Sequence, residues 1–169
     1  MRIENFIFVL LGFIILTFNS IAQDTYYLIT KVNDGDTFEI ETGERVRLLG
    51  IDTPEKWESD KLNRDSERTG KDKEVLQKLG TLASEYTENM LLNKKVILKA
   101  DSTNTDTDRY GRLLRYAYLE DGTLFNLKII QDGYAYAYTK YPVIYMEEFL
   151  QAQKDARENK RGLWGDENF

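Results

Sequence analysis

The chain has 169 residues, and its 29 Asp and Glu side chains outnumber its 23 Lys and Arg, which leaves a net charge of −6 at neutral pH. It contains no cysteine and no histidine. Without cysteine there are no disulfides, thiolate metal sites or cysteine nucleophiles. Without histidine there is no Ser-His-Asp triad and no imidazole base. Any catalysis must therefore use carboxylates, Arg, Lys, Tyr, Ser or Thr, and any metal should be a hard cation held by oxygen.

The start of the chain has the pattern of a secretory signal. Arg2 precedes an uncharged apolar run at residues 6–18, and Ser20-Ile21-Ala22 resembles a cleavage site. The alternative is a membrane anchor, but a span usually needs roughly 17–25 apolar residues. We therefore expect residues 1–22 to be removed, and residues 23–169 to form one domain in the medium or periplasm without stable membrane association.

Three short runs rich in β-branched and aromatic residues open the predicted domain, at residues 26–32, 36–41 and 45–51. Turn residues separate these runs, so the pattern predicts a three-stranded meander. Residues 56–74 differ from them, because 12 of these 19 residues are charged. Trp57 and Leu62 are the sizeable apolar side chains in this segment. Its composition predicts a solvated, mobile loop.

The next part of the chain combines a helix with two strands. Apolar residues recur at three- and four-residue spacings from Val75 to Met90, which predicts a helix, although Gly80 weakens the pattern inside it. Residues 95–100 alternate between apolar and polar side chains and predict a strand. A polar loop separates that strand from a second predicted strand at residues 112–119.

Two further helices complete the prediction. Residues 125–132 form a short apolar pattern that Gly133 should stop. Residues 146–156 place apolar side chains on one helix face, and Gly162 is the expected end of that helix. Short strands with interspersed helices favour an α+β, mainly β architecture over a parallel sheet. The expected fold is a five-stranded Greek-key barrel of the OB type with three helices.

The first motif that could carry chemistry is Asp-Gly-Asp-Thr at residues 34–37. Asn33 precedes it, and Asn-Asp-Gly between strands is a common hairpin turn, so this motif alone favours a purely structural role. A turn does not explain the second carboxylate, Asp36, at the start of the next strand.

The second motif is Arg-Leu-Leu-Gly-Ile-Asp-Thr-Pro-Glu at residues 47–55. Arg47 interrupts an apolar strand, where a charge is costly unless it is paired. Asp52 and Glu55 follow at the end of that strand, where a site could form. A structural ion pair for Arg47, at a strand that ends in a polar turn, is an equally good interpretation.

The third motif is Asp-Arg-Tyr-Gly-Arg at residues 108–112. Its two arginines flank a Tyr-Gly pair between a loop and a strand, and alone it favours a charged turn. The preceding residues do not complete an EF-hand loop over residues 101–112. Such a loop needs glycine at its sixth position and glutamate at its twelfth, which here are Asp106 and Arg112.

Together the motifs contain the groups needed to hydrolyse a phosphodiester. Asp36 and Asp52 are hard oxygen ligands suited to calcium, whose remaining ligands can be carbonyls and waters. Glu55 can orient or deprotonate a metal-activated water. Arg47 and Arg112 can bind phosphate oxygens and stabilise the charge of a five-coordinate transition state. None of these roles requires histidine.

The three motifs, in this order, resemble the staphylococcal nuclease-like (thermonuclease) family. The resemblance continues through Gly-Tyr-Ala at residues 133–135 and the Ala-Arg…Arg-Gly-Leu-Trp stretch at residues 156–164, so it covers nearly all of the expected mature chain. It implies an OB-fold barrel with three helices, a bound calcium ion (Ca2+) and hydrolysis of DNA and RNA.

The resemblance also implies binding roles for particular residues. The family's calcium ligands correspond to Asp36, Asp52 and the backbone carbonyl of Thr53. Arg109 and Tyr110 match positions where the family has a basic residue and a tyrosine near the terminal phosphate of the substrate.

The same resemblance implies catalytic roles for three side chains. Arg47 and Arg112 would hold the scissile phosphate, and Glu55 would be the general base or the group that orients water. A tyrosine that stacks on the substrate corresponds to Tyr138 or Tyr141, and the motif does not decide between them.

The chain departs from the family in its charge and in residues 56–74, which lengthen the spacing between Asp52 and Arg112. A net charge of −6 matches a polyanionic substrate poorly, so we expect weak, salt-sensitive binding. One alternative is a non-catalytic OB-fold module that binds nucleic acid, although such a binder would not need three carboxylates. Another is a secreted calcium-binding domain. In each case a monomer is expected.

Overall fold

The computed structural model describes residues 24–165, so the expected signal at residues 1–22 lies outside the described part of the chain. The strands within that part are β1 (Tyr26–Asp34), β2 (Thr37–Ile40), β3 (Arg45–Leu48), β4 (Ile51–Asp52), β5 (Lys95–Lys99), β6 (Leu113–Tyr118) and β7 (Tyr136–Ala137). The helices are α1 (Asp60–Thr69), α2 (Lys73–Leu91), α3 (Phe125–Gln131), α4 (Met146–Glu158) and a 3-10 helix (Gly162–Trp164).

Five of these strands close into a barrel in the order β1-β2-β3-β6-β5, as the sequence predicts. Neighbouring strands are antiparallel except β3 and β6, which run parallel. Alternate side chains of the strands point inward, so Ile29, Phe38, Val46 and Val96 are fully buried. The helices α3 and α4 add residues such as Phe149 to the same core.

The predicted third strand is in fact two strands. It ends at Leu48, and a turn at residues 49–50 redirects the chain into β4, which pairs with β7 outside the barrel. Gly50 makes this turn with a φ of +71°, in the left-handed region that favours glycine. A Cβ atom there would lie 2.6 Å from the ring of Phe149. The change of direction carries Asp52 out of the barrel and into register with Tyr136.

Residues 56–74 contain a helix, so the prediction of a mobile loop is wrong. The side chain of Ser59 accepts a hydrogen bond from the amide of Leu62 and caps the start of α1, and Gly70 ends the helix with a φ of 68°. Leu62 is fully buried in a small cluster with Leu76, Leu79 and Leu163. The buried leucine and the two caps stabilise the helix in this highly charged segment. The described residues therefore contain four α-helices, where three were expected.

The long predicted helix is confirmed as α2 and continues through Gly80. A Cβ atom on Gly80 would lie 2.5 Å from the carbonyl carbon of Glu55, so this glycine allows α2 to pack against the chain that carries Glu55. The last helix ends at Glu158, before Gly162, which instead begins the 3-10 helix. Across residues 24–165, none of the helices combines the length and apolar character needed to cross a membrane.

Candidate functional site

A groove of about 1200 Å³ lies where β4, α1 and the loop before β6 meet. All eight residues that the sequence assigns to a site line it, although they come from three separate motifs. These residues are Asp36, Arg47, Asp52, Thr53, Glu55, Arg109, Tyr110 and Arg112. The barrel therefore brings the three motifs to one surface. We call Asp36, Arg47, Asp52, Thr53 and Glu55 the acidic corner, and residues 108–112 the arginine loop.

Asp36 joins the first motif to the second. Its backbone amide donates to Oδ1 of Asp34 at 3.1 Å, which forms the tight turn between β1 and β2. Its Oδ2 accepts hydrogen bonds from the amide and hydroxyl of Thr53, at 3.0 and 3.2 Å. Asp36 and Thr53 are 6% and 3% exposed, so these bonds form in a largely water-free environment.

Arg47 lies between the two aspartates of the acidic corner. Its Nη1 is 3.0 Å from Oδ2 of Asp36, and its Nη2 is 3.3 Å from Oδ1 of Asp52. The same nitrogens donate to the backbone carbonyls of Leu48 and Ile51. The structural ion pair considered for Arg47 therefore exists, and it lies within the groove.

Lys61 also lines the groove, and the sequence reasoning gave it no role. From the first turn of α1, its Nζ reaches the carbonyl oxygen of Thr53 at 2.7 Å, Oδ1 of Asp52 at 3.0 Å and Oε1 of Glu55 at 3.0 Å. The available signal was Ser59, a residue type preferred at helix N-caps, with the apolar Leu62 three positions later. The density of charge concealed that pattern.

Burial has the largest effect on the pKa values of Asp34, Asp36 and Asp52, and neighbouring charges add to it or oppose it. Burial and the charge of Asp36 raise the pKa of Asp34 to about 7. Burial opposes ionisation of Asp36 as well, but Arg47 and Lys61 outweigh it and lower the pKa of Asp36. Burial and the adjacent Asp36 raise the pKa of Asp52 above its usual value despite the two cations.

The surroundings of Lys61 favour its charged form. Burial disfavours an ammonium, but Asp52, Asp36 and Glu55 outweigh this effect and raise the pKa of Lys61 above its usual value. Lys61 is therefore a permanent cation near neutral pH.

The arginine loop is organised by Asp108, to which the sequence assigned no role. Its Oδ1 accepts from the amides of Tyr110 and Arg112, and its Oδ2 accepts from Nε of Arg112 at 2.8 Å. Nη2 of Arg112 forms an ion pair with the same Oδ2 at 2.7 Å. The Nη1 of Arg112 donates to the hydroxyl of Thr37 at 3.2 Å, and that hydroxyl donates to Asp36. Arg112 is thus linked to the acidic corner through one threonine.

The other side chains predicted to contact the substrate lie at the more exposed part of the groove. The guanidinium of Arg109 lies 4.7 Å from the ring centre of Tyr110, which is 59% exposed. Tyr138 and Tyr141 both line the groove, with ring centres 6.0 Å apart. The structure brings both tyrosines to the groove and does not distinguish between them.

The donor set at the acidic corner fits a hard cation. Three of its oxygens, from Asp52, Thr53 and Glu55, converge within 3.0 Å of the single positive nitrogen of Lys61. Oxygen ligands of this kind suit calcium better than a softer metal. The described residues hold no cluster of three or more Asp, Glu, His or Cys side chains arranged for a metal. A cation here would therefore need the Thr53 carbonyl and water as ligands.

Comparisons with known proteins show the family of this chain. The family model described as "Staphylococcal nuclease homologue" matches residues 45–166. A thermonuclease of Staphylococcus intermedius is 37% identical over 143 residues, which cover 82% of this chain and 75% of that protein. A thermonuclease of Staphylococcus hyicus is 34% identical over 147 residues, covering 85% and 78%.

A protein of Methanocaldococcus jannaschii described as uncharacterized is also 34% identical, over 153 residues that cover 85% of this chain and 73% of that protein. The family match spans more than half of the chain, and it includes the second and third motifs. The predicted resemblance is confirmed: this chain belongs to the staphylococcal nuclease homologue family.

Proposed function

We propose that this protein is a calcium-dependent nuclease that hydrolyses phosphodiester bonds in DNA and RNA. The observation that carries the proposal is the convergence of three carboxylates and two arginines from distant motifs in one groove. The names of the two staphylococcal relatives, both thermonucleases, support the same activity. A groove with one or two of these groups would also suit simple binding, whereas the full set suits hydrolysis.

The metal would be held by Asp36, Asp52 and the carbonyl oxygen of Thr53. When bound, calcium supplies positive charge against a phosphate oxygen and makes water a better nucleophile. Asp36 is suited to this role because its lowered pKa keeps it ionised near neutral pH. The hydrogen bonds from Thr53 hold the Asp36 carboxylate beside the Thr53 carbonyl in the same corner.

Glu55 would orient the attacking water or accept its proton. Its side chain is 31% exposed, so it is accessible to water and substrate in the groove. The backbone of Glu55 rests on Gly80 of α2, which holds it in place. Water oxygen bonds to phosphorus, the bond to the leaving sugar oxygen breaks, and a proton ends on that leaving oxygen. From the family resemblance, the product carries a 3′-phosphate.

Arg47 and Arg112 would hold the phosphate and stabilise the additional negative charge of the transition state. Each is already oriented by a carboxylate: Arg47 by Asp36 and Asp52, and Arg112 by Asp108. Such preorganised cations need little rearrangement when charge develops. Arg109 and Tyr110 would contact a neighbouring phosphate from the exposed side of the groove.

We also propose that the protein acts outside the cytoplasm as a monomer, without stable membrane association after removal of residues 1–22. The apolar run and the small residues before Gln23 support this location. Extracellular calcium is near millimolar, a concentration at which a weak and partly open site would be filled.

A digest of single-stranded DNA by residues 23–169, with calcium or with chelator, tests the proposal. We expect cleavage with calcium alone, and loss of activity by about a thousandfold in Glu55→Gln and Arg112→Ala. Glu88→Gln and Arg157→Ala are matched controls on exposed helix surfaces and should cleave normally. Binding of DNA without cleavage in any divalent metal would contradict hydrolysis and favour the OB-fold binding module.

A further inference from the structure

The ammonium of Lys61 contacts two oxygens that the proposed metal would need, those of Asp52 and Thr53, and the carboxylate of Glu55 beside them. Its three contacts are the Thr53 carbonyl at 2.7 Å, Asp52 Oδ1 at 3.0 Å and Glu55 Oε1 at 3.0 Å. A lysine ammonium has three N–H donors, so each can be directed at one of these oxygens. Lysine suits this position better than arginine, because its charge is a compact point rather than a planar fork.

The position of Lys61 is determined by the helix that carries it. The adjacent residue, Leu62, is fully buried, and Ser59 caps the first turn of α1. The helix therefore directs Lys61 toward the acidic corner while its backbone stays anchored by Leu62. The Lys61 side chain itself is 27% exposed, at the edge of the groove. Its flexible stem can swing into solvent without any movement of α1.

We propose that Lys61 is an internal competitor for the metal: its ammonium contacts the Asp52 and Thr53 oxygens that would also bind calcium, so calcium binding displaces Lys61. Calcium binds oxygen at about 2.3–2.6 Å. A calcium ion at that distance from Asp52 Oδ1 and the Thr53 carbonyl would lie close to the ammonium that now contacts both atoms, and the two positive charges would repel each other. This inference rests on the calcium site of the proposed function.

The competition has two consequences. With calcium removed, Lys61 neutralises carboxylates that would otherwise repel one another, so it stabilises the folded acidic corner. With calcium present, binding must also release the lysine, so the apparent affinity equals the intrinsic affinity multiplied by the fraction of molecules whose lysine is withdrawn. Lys61 therefore sets the calcium concentration at which the site fills.

Amine labelling of the unaltered protein tests displacement directly. An acetylating reagent would be applied in chelator and in millimolar calcium, and labelling rates at each lysine followed by mass spectrometry. We expect labelling of Lys61 to rise by about fivefold or more with calcium, since an ion-paired ammonium is protected. Lys78, exposed on α2 and away from the groove, is the internal control and should not change. Unchanged or slower labelling of Lys61 would overturn the inference.

A calorimetric calcium titration of Lys61→Met measures the effect of Lys61 on calcium affinity independently of the labelling. Methionine keeps most of the stem and removes the charge, so calcium should bind about tenfold more tightly than in the unaltered protein. Lys78→Met should bind as the unaltered protein does. Equal or weaker binding by Lys61→Met would mean that Lys61 supports the site rather than competing for it. If Lys61→Met does not fold, the labelling result decides.

The outcomes separate this inference from the proposed function. If the unaltered protein binds no calcium, the inference is overturned together with the metal part of the proposed function. The inference alone is overturned if three results occur together. The unaltered protein cleaves DNA with calcium, calcium does not change the labelling of Lys61, and Lys61→Met binds calcium as tightly as the unaltered protein.

Discussion

The two walls of the groove, the acidic corner and the arginine loop, differ in the contacts that fix their side chains in position. In the acidic corner, Asp36 and Thr53 are 6% and 3% exposed, and the hydrogen bonds between them join residues 17 positions apart in the chain. In the arginine loop, Tyr110 is 59% exposed, and Asp108 makes its contacts within four residues. The corner depends on the barrel, whereas the loop is organised mainly by its own hydrogen bonds. Substitutions in the corner should therefore reduce stability and activity together, and substitutions in the loop should reduce mainly activity.

Removing one arginine from each wall is the strongest test of this difference. Arg47→Met and Arg112→Met should each lower kcat/KM by about a thousandfold, because each removes a cation that stabilises the transition state. Arg47→Met leaves two largely buried carboxylates without their guanidinium and should cost about 3 kcal/mol of stability. Arg112→Met should cost about 1 kcal/mol, since Asp108 keeps two backbone partners.

Urea denaturation in chelator measures these stabilities, with Arg157→Met as the exposed control. Equal losses of stability in the two groove variants would show that the walls do not differ in this way.

Asp101→Asn should reveal where the loop preceding Arg112 is fastened to the barrel. Asp101 is 4% exposed and accepts hydrogen bonds from Thr103, Tyr116 and Ile144. Burial opposes its ionisation, but these donors lower its pKa to about 2. The folded pKa lies below the unfolded value of 3.8, so the stabilisation is fully present above about pH 4 and is lost as the pH falls towards 2.

At pH 7 the variant should lose about 2–3 kcal/mol of unfolding free energy. Thermal or urea unfolding of both proteins between pH 2 and 7 checks the prediction, and the difference between them should shrink at the acid end. A difference independent of pH would show that the charge of Asp101 does not contribute.

Gly80→Ala should expose the dependence of Glu55 on α2. Helix propensity alone predicts that alanine stabilises an exposed helix by about 1 kcal/mol. Here the new Cβ would lie 2.5 Å from the backbone of Glu55, so we expect a net loss of about 1–2 kcal/mol and roughly tenfold lower kcat. Thr81→Ala, at the next and exposed position of α2, is the control. A gain in stability at Gly80 would show that the packing against Glu55 is loose.

The smallest effect is expected at the exposed end of the arginine loop. Arg109→Ala should raise KM by about threefold, leave kcat unchanged and weaken the dependence of KM on salt, because one phosphate contact is lost. In the unaltered protein, raising salt should raise KM more than it lowers kcat, because salt weakens the contacts between basic side chains and the phosphates of the substrate. Steady-state kinetics over a range of salt concentrations tests both statements. A fall in kcat at constant KM would contradict them.

The parts of this protein that sequence reasoning predicted are those with local signals. The barrel strands follow from alternating side chains and turn residues, and α2 follows from its apolar spacing through Gly80. The two-stranded β4–β7 pair was not predicted, because its strands are two residues each and form through contacts between distant parts of the chain. The helix α1 was missed because Leu62 is its one fully buried apolar side chain.

The candidate site shows the same division between features with a local sequence signal and features that depend on distant contacts. The identity of its carboxylates and arginines could be inferred from three motifs, since each motif is contiguous and its chemistry depends on residue type. The partners of these groups depend on the tertiary structure. Thr37 links Arg112 to Asp36. Lys61, from a segment expected to be a mobile loop, contacts Asp52, Thr53 and Glu55. Such contacts depend on how the helices pack on the barrel, because burial and the proximity of distant residues arise only when the chain has folded.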